Sequence, residues 1–414
     1  MARSARRRNQ SRRARVVALL IIVLTAALAS SPALACLWDR DTLAAESRVA
    51  PGAVEAITGR FERNPPEYYE LRRDRLMRRW LATPQRFTLE EFDDVAVASD
   101  HLGRSEEAVE WMERKRRRLL AHPTAEHEYR YHANLGTFLA HRWLRAGARR
   151  DDLQWLQAAR GHIQAAIDQN PDAHFGRERY QLLAIDWLLA PPRPAMEELP
   201  TIFAALPEVR DDPAALVSAL RADANDDAIV GLAGLVVLGA AWESIDIHNS
   251  LRAALAAHGH GSLAILAGYR VDELVGAGAR SLHPAAKDPP EALAKALAWA
   301  VPNAARPEHI DDYPRYYAAA RREAEQWQAE RWAYMRARFA EGRHPDTDDS
   351  FWRAFKPTTW PPRLPGERGD RASWRRILEP APPAPWYRDL PKGAWFALIA
   401  LIGGVCLVGL RRYT

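Results

Sequence analysis

Apolar side chains recur at intervals of three and four residues along most of the chain, which is the spacing of one face of an α-helix. In 105–120, for example, Ala108, Met112 and Leu119 share a face, while most of the basic run 114–118 lies opposite. The alternation of apolar and polar residues that is typical of half-buried strands is nearly absent. The pattern therefore predicts an all-α protein, and the basic run is interpreted as a solvated helix face.

The same spacing predicts individual helices. Thirteen consecutive apolar residues, 229–241, are too few to cross a membrane and predict a buried helix capped by Asn225 or Asp226. A long charged helix over 313–339 carries a stripe of aromatic residues, which we expect to be a packing surface. Further helices are predicted over 54–63, 70–80, 177–189, 247–258 and 262–275.

Two consecutive segments share a pattern of small and apolar positions. The matching positions are Phe92, Val95, Ala96, Leu102, Gly103, Ala108, Met112 and Pro123 in the first segment, and His132, Leu135, Gly136, Leu139, Ala159, Ile163, Ala166, Asn170 and Pro171 in the second. They resemble the tetratricopeptide (TPR) repeat, a helical hairpin of about 34 residues with W-x2-L-G-x2-Y on its first helix and A-x3-F, then proline, around its second.

The resemblance implies a solenoid of helical hairpins, in which Gly136 sits where its helix meets a neighbour. Two units are fewer than a solenoid normally needs, so neighbouring helices would have to complete it. The resemblance also implies that the first helix of each unit lines a concave groove. Arg130 and Asn134, one turn apart on such a helix, would then be peptide-binding residues. The alternatives are an irregular helical bundle with a chance match and an ordinary surface pair.

The N-terminal end has the features of a secretory signal peptide. Seven arginines in 1–15 precede an apolar stretch over 16–29, and the sequence Ala-Leu-Ala follows over 33–35. The predicted cleavage site lies before Cys36. Three outcomes stay open: plain cleavage, lipidation of Cys36, or an uncleaved anchor.

The C-terminal end predicts a transmembrane helix. Residues 393–410 carry no charge, and eighteen helical residues span about 27 Å, enough for a thin bilayer. Arg411 and Arg412 follow, so the positive-inside rule places 411–414 in the cytoplasm and the body outside. A buried C-terminal core helix is the alternative. Cys406 lies in this segment, which leaves Cys36 without a partner for an intramolecular disulfide.

Composition completes the domain plan. Ten of the 29 prolines and four tryptophans fall in 345–391, which predicts a stalk, or a strap if its tryptophans dock back on the helices. The predicted segments are a signal peptide (1–35), a helical N-terminal cap (36–90), TPR-like repeats (90–190), further helical hairpins and the long charged helix (191–341), a Pro/Trp-rich stalk (342–391), a transmembrane helix (393–410) and a cytoplasmic tail (411–414).

The net charge of +5 belongs to the two ends of the chain. Without the seven arginines of 1–15 and without Arg411 and Arg412, 49 basic residues face 53 acidic ones, a net charge of −4. A basic pI of this origin does not indicate nucleic-acid binding.

Catalytic and metal motifs are weak. His127 and His132 resemble part of a zinc-protease motif, but five helical residues place them about 140° apart, so they cannot share a metal from one regular helix. His258 and His260, near Asp246, have metal-ligand side chains, but they lie in a glycine turn and are expected to be solvated. We therefore expect no catalytic residue, no metal and no cofactor.

Together these features predict a membrane-tethered TPR-like scaffold in a bacterial cell envelope, with its body on the exoplasmic or periplasmic side. It is expected to bind a peptide or protein partner and to bind no nucleic acid; its oligomeric state is open. The alternatives are an envelope enzyme or metal-binding protein on a helical scaffold, and a purely structural tether.

Overall fold

The computed structural model describes residues 52–171, 176–190, 201–212, 215–222, 227–283 and 311–362. Within these ranges the chain forms thirteen α-helices and no β-strand, so the all-α prediction is confirmed there. The helices are α1 (Ala53–Thr58), α2 (Pro66–Ala82), α3 (Leu89–His101), α4 (Ser105–Ala121), α5 (Ala125–Arg145), α6 (Gln154–Gln169), α7 (Arg177–Leu189), α8 (Pro207–Asp211), α9 (Leu216–Leu220), α10 (Ala228–Val237), α11 (Ile245–Ala257), α12 (Gly261–Gly276) and α13 (Tyr313–Ala340).

Local sequence decides where helices begin and end. Thr88 begins α3 with a capping box, in which its hydroxyl accepts a hydrogen bond from Glu91 N and its own N–H donates to the Glu91 carboxylate. Gly59, at φ +81°, ends α1 in the left-handed conformation that favours glycine. The helix predicted over 54–63 is therefore shorter than expected, and residues 59–65 form the α1–α2 linker.

Consecutive helices pack as hairpins, most extensively α3 with α4, α5 with α6, and α11 with α12. Gly136 lies where α5 touches α6: a Cβ atom there would be 2.7 Å from Ile163 Cδ1 and 3.1 Å from the Ala159 carbonyl oxygen. This confirms that Gly136 marks a close helix contact. Hairpin packing occurs in many all-α folds, so it does not by itself identify a TPR solenoid.

The later helices continue this side-by-side order. Helix α7 packs against α10, α10 against α11, and α12 against α13. Helix α10 covers part of the apolar stretch 229–241, and its side chains Leu232, Leu235 and Val236 are fully buried, or nearly so. The prediction of a short buried helix is therefore confirmed, although the helix ends at Val237.

The first and last described parts of the chain meet. Helix α1 contacts α10, α12 and α13, and the linker lies along α13. The aromatic stripe of α13 contributes to this contact, since its Tyr317 and Trp327 are buried. The prediction that this stripe is a packing surface is confirmed.

Residues 345–362, at the start of the predicted stalk, pack onto α2 and α13. Phe351 is buried in an apolar cluster with Tyr68, Tyr69 and Met335. Beside the cluster, the Arg72 guanidinium forms a fully buried ion pair with Asp346 at 2.6 Å. The described part of this segment thus behaves as a strap.

Several predictions fall outside the described residues: the signal peptide, Cys36, the capping residues Asn225 and Asp226, and the chain from 363 onward, which includes the transmembrane helix predicted over 393–410. Within the part that the structure describes, no helix is both long enough and apolar enough to cross a membrane.

Candidate binding site

Helix α5 carries a stripe of polar side chains at alternating intervals of three and four residues: His127, Arg130, Asn134, Thr137 and His141. This spacing puts all five on one face of the helix. All five are buried, because α3 packs against this side of α5 and α7 supplies a hydrogen-bond partner. The polar face of α5 is thus part of the protein interior.

The predicted peptide-binding residues belong to this stripe. Asn134 is fully buried, and its amide donates to Asp93 Oδ1 at 3.0 Å. Lys115 donates to both oxygens of the same carboxylate at 2.7 Å. Arg130 is 5% exposed and is paired with Glu126. Both predicted residues are engaged in buried polar contacts, and peptide capture by them stays a prediction.

A second buried ion group lies farther along the stripe. Asp100 of α3 is paired with His141 and with Arg145, whose Nη2 also donates to the Asp100 carbonyl oxygen at 2.8 Å. Burial alone would raise the pKa of Asp100, but the charges and hydrogen bonds of His141 and Arg145 outweigh it and hold the pKa well below its usual value. This group ties α3 to the end of α5.

The structure separates the histidines that the sequence singled out. His127 Nε2 lies 3.0 Å from Glu90, whereas His132 Nδ1 lies 2.9 Å from Nδ1 of His162 on α6. His258 ends α11, and His260 precedes α12. No group of three or more metal-ligating side chains converges anywhere in the described ranges.

A different constellation forms where the α1–α2 linker meets α12, α13 and the short segment between α10 and α11, which contains Trp242. Three guanidinium groups surround the ring of Trp242, with their Cζ atoms 3.6 Å (Arg270), 4.9 Å (Arg63) and 5.1 Å (Arg321) from its centroid. These distances fall within the range of cation–π interactions. We call Arg63, Arg270, Arg321 and Trp242 the arginine cluster.

Helix α13 fixes the backbone of Arg63. The Arg63 carbonyl oxygen accepts hydrogen bonds from Gln328 Nε2 (2.8 Å), Arg331 Nη1 (3.0 Å) and Trp332 Nε1 (2.6 Å). Its N–H donates to Gln328 Oε1 at 3.2 Å. The start of the Arg63 side chain is therefore held in place before any ligand arrives.

Glu273 pairs with two of the three arginines, Arg270 and Arg321. It accepts hydrogen bonds from Arg321 (2.9 Å) and the Tyr317 hydroxyl, and forms an ion pair with Arg270 at 2.9 Å. Burial would raise the pKa of Glu273, but the hydrogen bonds from Arg321 and Tyr317 and the charge of Arg270 lower it to about 2. Glu273 is therefore ionised and fully engaged.

Arg63 lacks such a partner. No carboxylate of the described residues lies within ion-pair distance of Arg63, and its Nε–H is buried without an acceptor. Burial, and then repulsion from Arg321 and Arg270, lowers the pKa of Arg63 to about 10, so it still carries its charge at neutral pH. Arg63 remains partly exposed, so an anion from solvent can approach this charge.

Gly59 makes the close approach possible. A Cβ atom there would lie 2.7 Å from the Trp242 ring and 3.0 Å from Arg321 Nη1. Arg321 Nη1 in turn donates to the carbonyl oxygen of Thr58 at 2.7 Å. The cluster thus joins α1, the linker, α12 and α13. Its Arg63 guanidinium has no ion-pair partner among the described residues and can bind an oxyanion, although Glu325 and Glu243 lie close enough to offset part of its charge.

Sequence reasoning missed this site because its residues are spread over positions 63 to 321 and form no local motif. The chain matches no family model, no curated protein and no solved structure.

Proposed function

We propose that this protein is a membrane-tethered binding scaffold of a bacterial cell envelope, and that it holds an acidic segment of a protein partner at the arginine cluster. The observation that carries the proposal is Arg63, a largely buried guanidinium with no carboxylate partner among the described residues. A buried charge without a counterion is unfavourable. A carboxylate of the partner would supply that counterion, and this favours binding.

The scaffold part of the proposal is supported by the sequence. The basic and apolar N-terminal end, and the uncharged stretch 393–410 followed by Arg411 and Arg412, favour export and tethering with the body outside the cytoplasm. The TPR-like spacing over 90–190 favours a protein partner, because stacked helical hairpins commonly present such surfaces.

The chemistry of the cluster favours a carboxylate. A guanidinium presents a planar fork of N–H donors that matches the two oxygens of a carboxylate. Arg270 and Arg321 raise the positive potential around Arg63 but are themselves engaged with Glu273. One glutamate or aspartate of a partner would therefore complete the site, with each charge-assisted hydrogen bond contributing about 1.5–3 kcal/mol.

Binding of a fluorescent hexaglutamate peptide to the purified full-length chain tests the proposal, with fluorescence anisotropy as the readout. We expect the Arg63→Gln variant to bind at least about tenfold more weakly, since a loss of about 1.4 kcal/mol has that effect.

Arg60→Gln is the matched control. Arg60 carries the same charge and lies three residues before Arg63, but its guanidinium already pairs with Glu323 at 2.9 Å. Equal weakening by the two substitutions would show that only net charge matters. Unchanged binding in Arg63→Gln would exclude the cluster as the site.

A further inference from the structure

We propose that His132 and His162 form a two-histidine binding site for a divalent first-row transition-metal ion. The two residues lie on neighbouring helices, α5 and α6, thirty positions apart, and their Nδ1 atoms are 2.9 Å from each other. The site is separate from the arginine cluster, and its binding does not depend on the function proposed above.

The distance between the two nitrogens is that of neighbouring ligands on one metal ion. Imidazole nitrogens bind such ions at about 2.0–2.1 Å, so two of them lie about 2.9 Å apart at a right angle and about 3.3 Å apart in a tetrahedron. The helices therefore already hold both Nδ1 atoms at a spacing that an ion requires. For an ion to bind, each ring would have to turn so that its Nδ1 lone pair points at the ion and no longer along the line between the two nitrogens.

The helix packing holds this spacing in place. Ile163 follows His162 directly and packs against Gly136, which lies one turn after His132. The ring of Tyr131 meets the His162 ring edge-on, at 87° with the centroids 5.9 Å apart. Because this contact fixes α5 against α6, the two backbones hold the histidines close to each other before an ion binds.

Metal binding requires a change of tautomer and no other chemistry. With both rings neutral, one Nδ1 carries a proton and donates it to the other Nδ1. When the ion binds, that proton is replaced at Nδ1 and the ring takes one up at Nε2 through solvent. No oxidant, reductant or further reactant is needed.

The surroundings allow a cation to enter. Both histidines are partly exposed, so water molecules can fill the remaining coordination positions. The neighbouring charges balance, because Arg116 of α4 is paired with Glu128, which lies one turn before His132.

The ligands select the class of metal. Neutral imidazole suits Cu²⁺, Ni²⁺ and Zn²⁺, whereas Mg²⁺ and Ca²⁺ prefer oxygen ligands. With two protein nitrogens and no imposed geometry, affinity should follow the Irving–Williams order and be highest for Cu²⁺.

Titration of the full-length chain, purified without a histidine tag, with Cu²⁺ tests this site. We expect His132→Ala and His162→Ala each to weaken binding by at least the ~10–100-fold that accompanies loss of a single supporting contact at metal sites. His122→Ala, which removes an exposed histidine at the end of α4, should leave binding unchanged.

Electron paramagnetic resonance of the wild-type complex supplies a readout that does not depend on whether the variants fold. One bound Cu²⁺ with two nitrogen ligands is expected, with one nitrogen lost in either variant. Binding of Cu²⁺ with wild-type affinity by His162→Ala would overturn the proposal. So would the absence of a two-nitrogen signal in the wild-type protein.

Discussion

At the scale of single residues, Arg63 and Arg321 contrast the binding role proposed for one arginine with the structural role of another. Both guanidinium groups lie beside Trp242. Arg321 is satisfied by Glu273, Glu325 and the Thr58 carbonyl oxygen, while Arg63 has no carboxylate partner among the described residues. A paired buried charge supports the fold, whereas an unpaired one is tolerated by the fold and available to a ligand.

Thermal or urea unfolding of two variants separates these roles. We expect Arg321→Gln to lower the free energy of unfolding by about 3 kcal/mol, because it leaves Glu273 with one cation in place of two. Arg63→Gln should stay within about 1 kcal/mol of the wild type, since losing an unpaired charge offsets the lost packing. A large destabilisation by Arg63→Gln would make Arg63 a structural residue.

Asp100 makes a pH-dependent contribution to stability. Its pKa in the folded protein lies below its value of about 3.9 in the unfolded chain, so its ion pairs stabilise the fold above about pH 4. That stability is lost as the pH falls from there toward the folded-state pKa.

We therefore expect Asp100→Asn to cost about 3 kcal/mol at pH 7 and to flatten the fall in melting temperature between about pH 5 and pH 3. Asp151→Asn is the control, because Asp151 forms an exposed ion pair with Arg149. If both variants keep the wild-type acid profile, the Asp100 group does not govern acid stability.

At the scale of helices, close approach decides how α5 and α6 pack. Gly136 leaves room for the fully buried Ile163, and the same helix pair contains Gly161, around which nothing lies within 4 Å of a Cβ position. The two glycines thus differ in surroundings while both lie inside a helix.

Substituting leucine at each glycine tests the contact. Gly136→Leu should lower the free energy of unfolding by about 1–3 kcal/mol, because the larger side chain overpacks the helix contact. Gly161→Leu should be neutral or stabilise by up to about 1 kcal/mol, because leucine is the better helix former. Equal melting temperatures for the two variants would contradict the packing described for α5 and α6.

At the scale of the whole molecule, the last described residues pack against the first ones. Phe351 enters a cluster built by Tyr68, Tyr69 and Met335, and Asp346 pairs with Arg72. The stability of α2 therefore depends on residues about 270 positions farther along the chain.

Hydrogen exchange across the chain tests this dependence. We expect Phe351→Ala to cost about 3–5 kcal/mol and to speed amide exchange in α2 as well as locally. Trp360→Ala lies in the same segment, but its side chain is 74% exposed, so it should change neither quantity. Unaltered exchange in α2 of the Phe351→Ala protein would mean that the strap does not support it.

What the sequence alone determined is local. Helices could be predicted because the apolar period depends on residues only a few positions apart. The Thr88–Glu91 capping box, which begins α3, and the left-handed Gly59, which ends α1, are equally local. The close contact at Gly136 could be predicted for the same reason, because it follows from the spacing of His132, Leu135 and Gly136 along one helix.

Only the tertiary structure decided which helix faces meet. The sequence placed Asn134 on the polar side of a helix, and only the tertiary structure shows that α3 covers this side and that Asn134 donates to Asp93. Likewise, Arg63 reaches Trp242, which lies between α10 and α11, only because the start of the described chain packs against α10, α12 and α13. Such pairings depend on how many side chains far apart in the sequence pack together. A local period or motif contains no information about that packing.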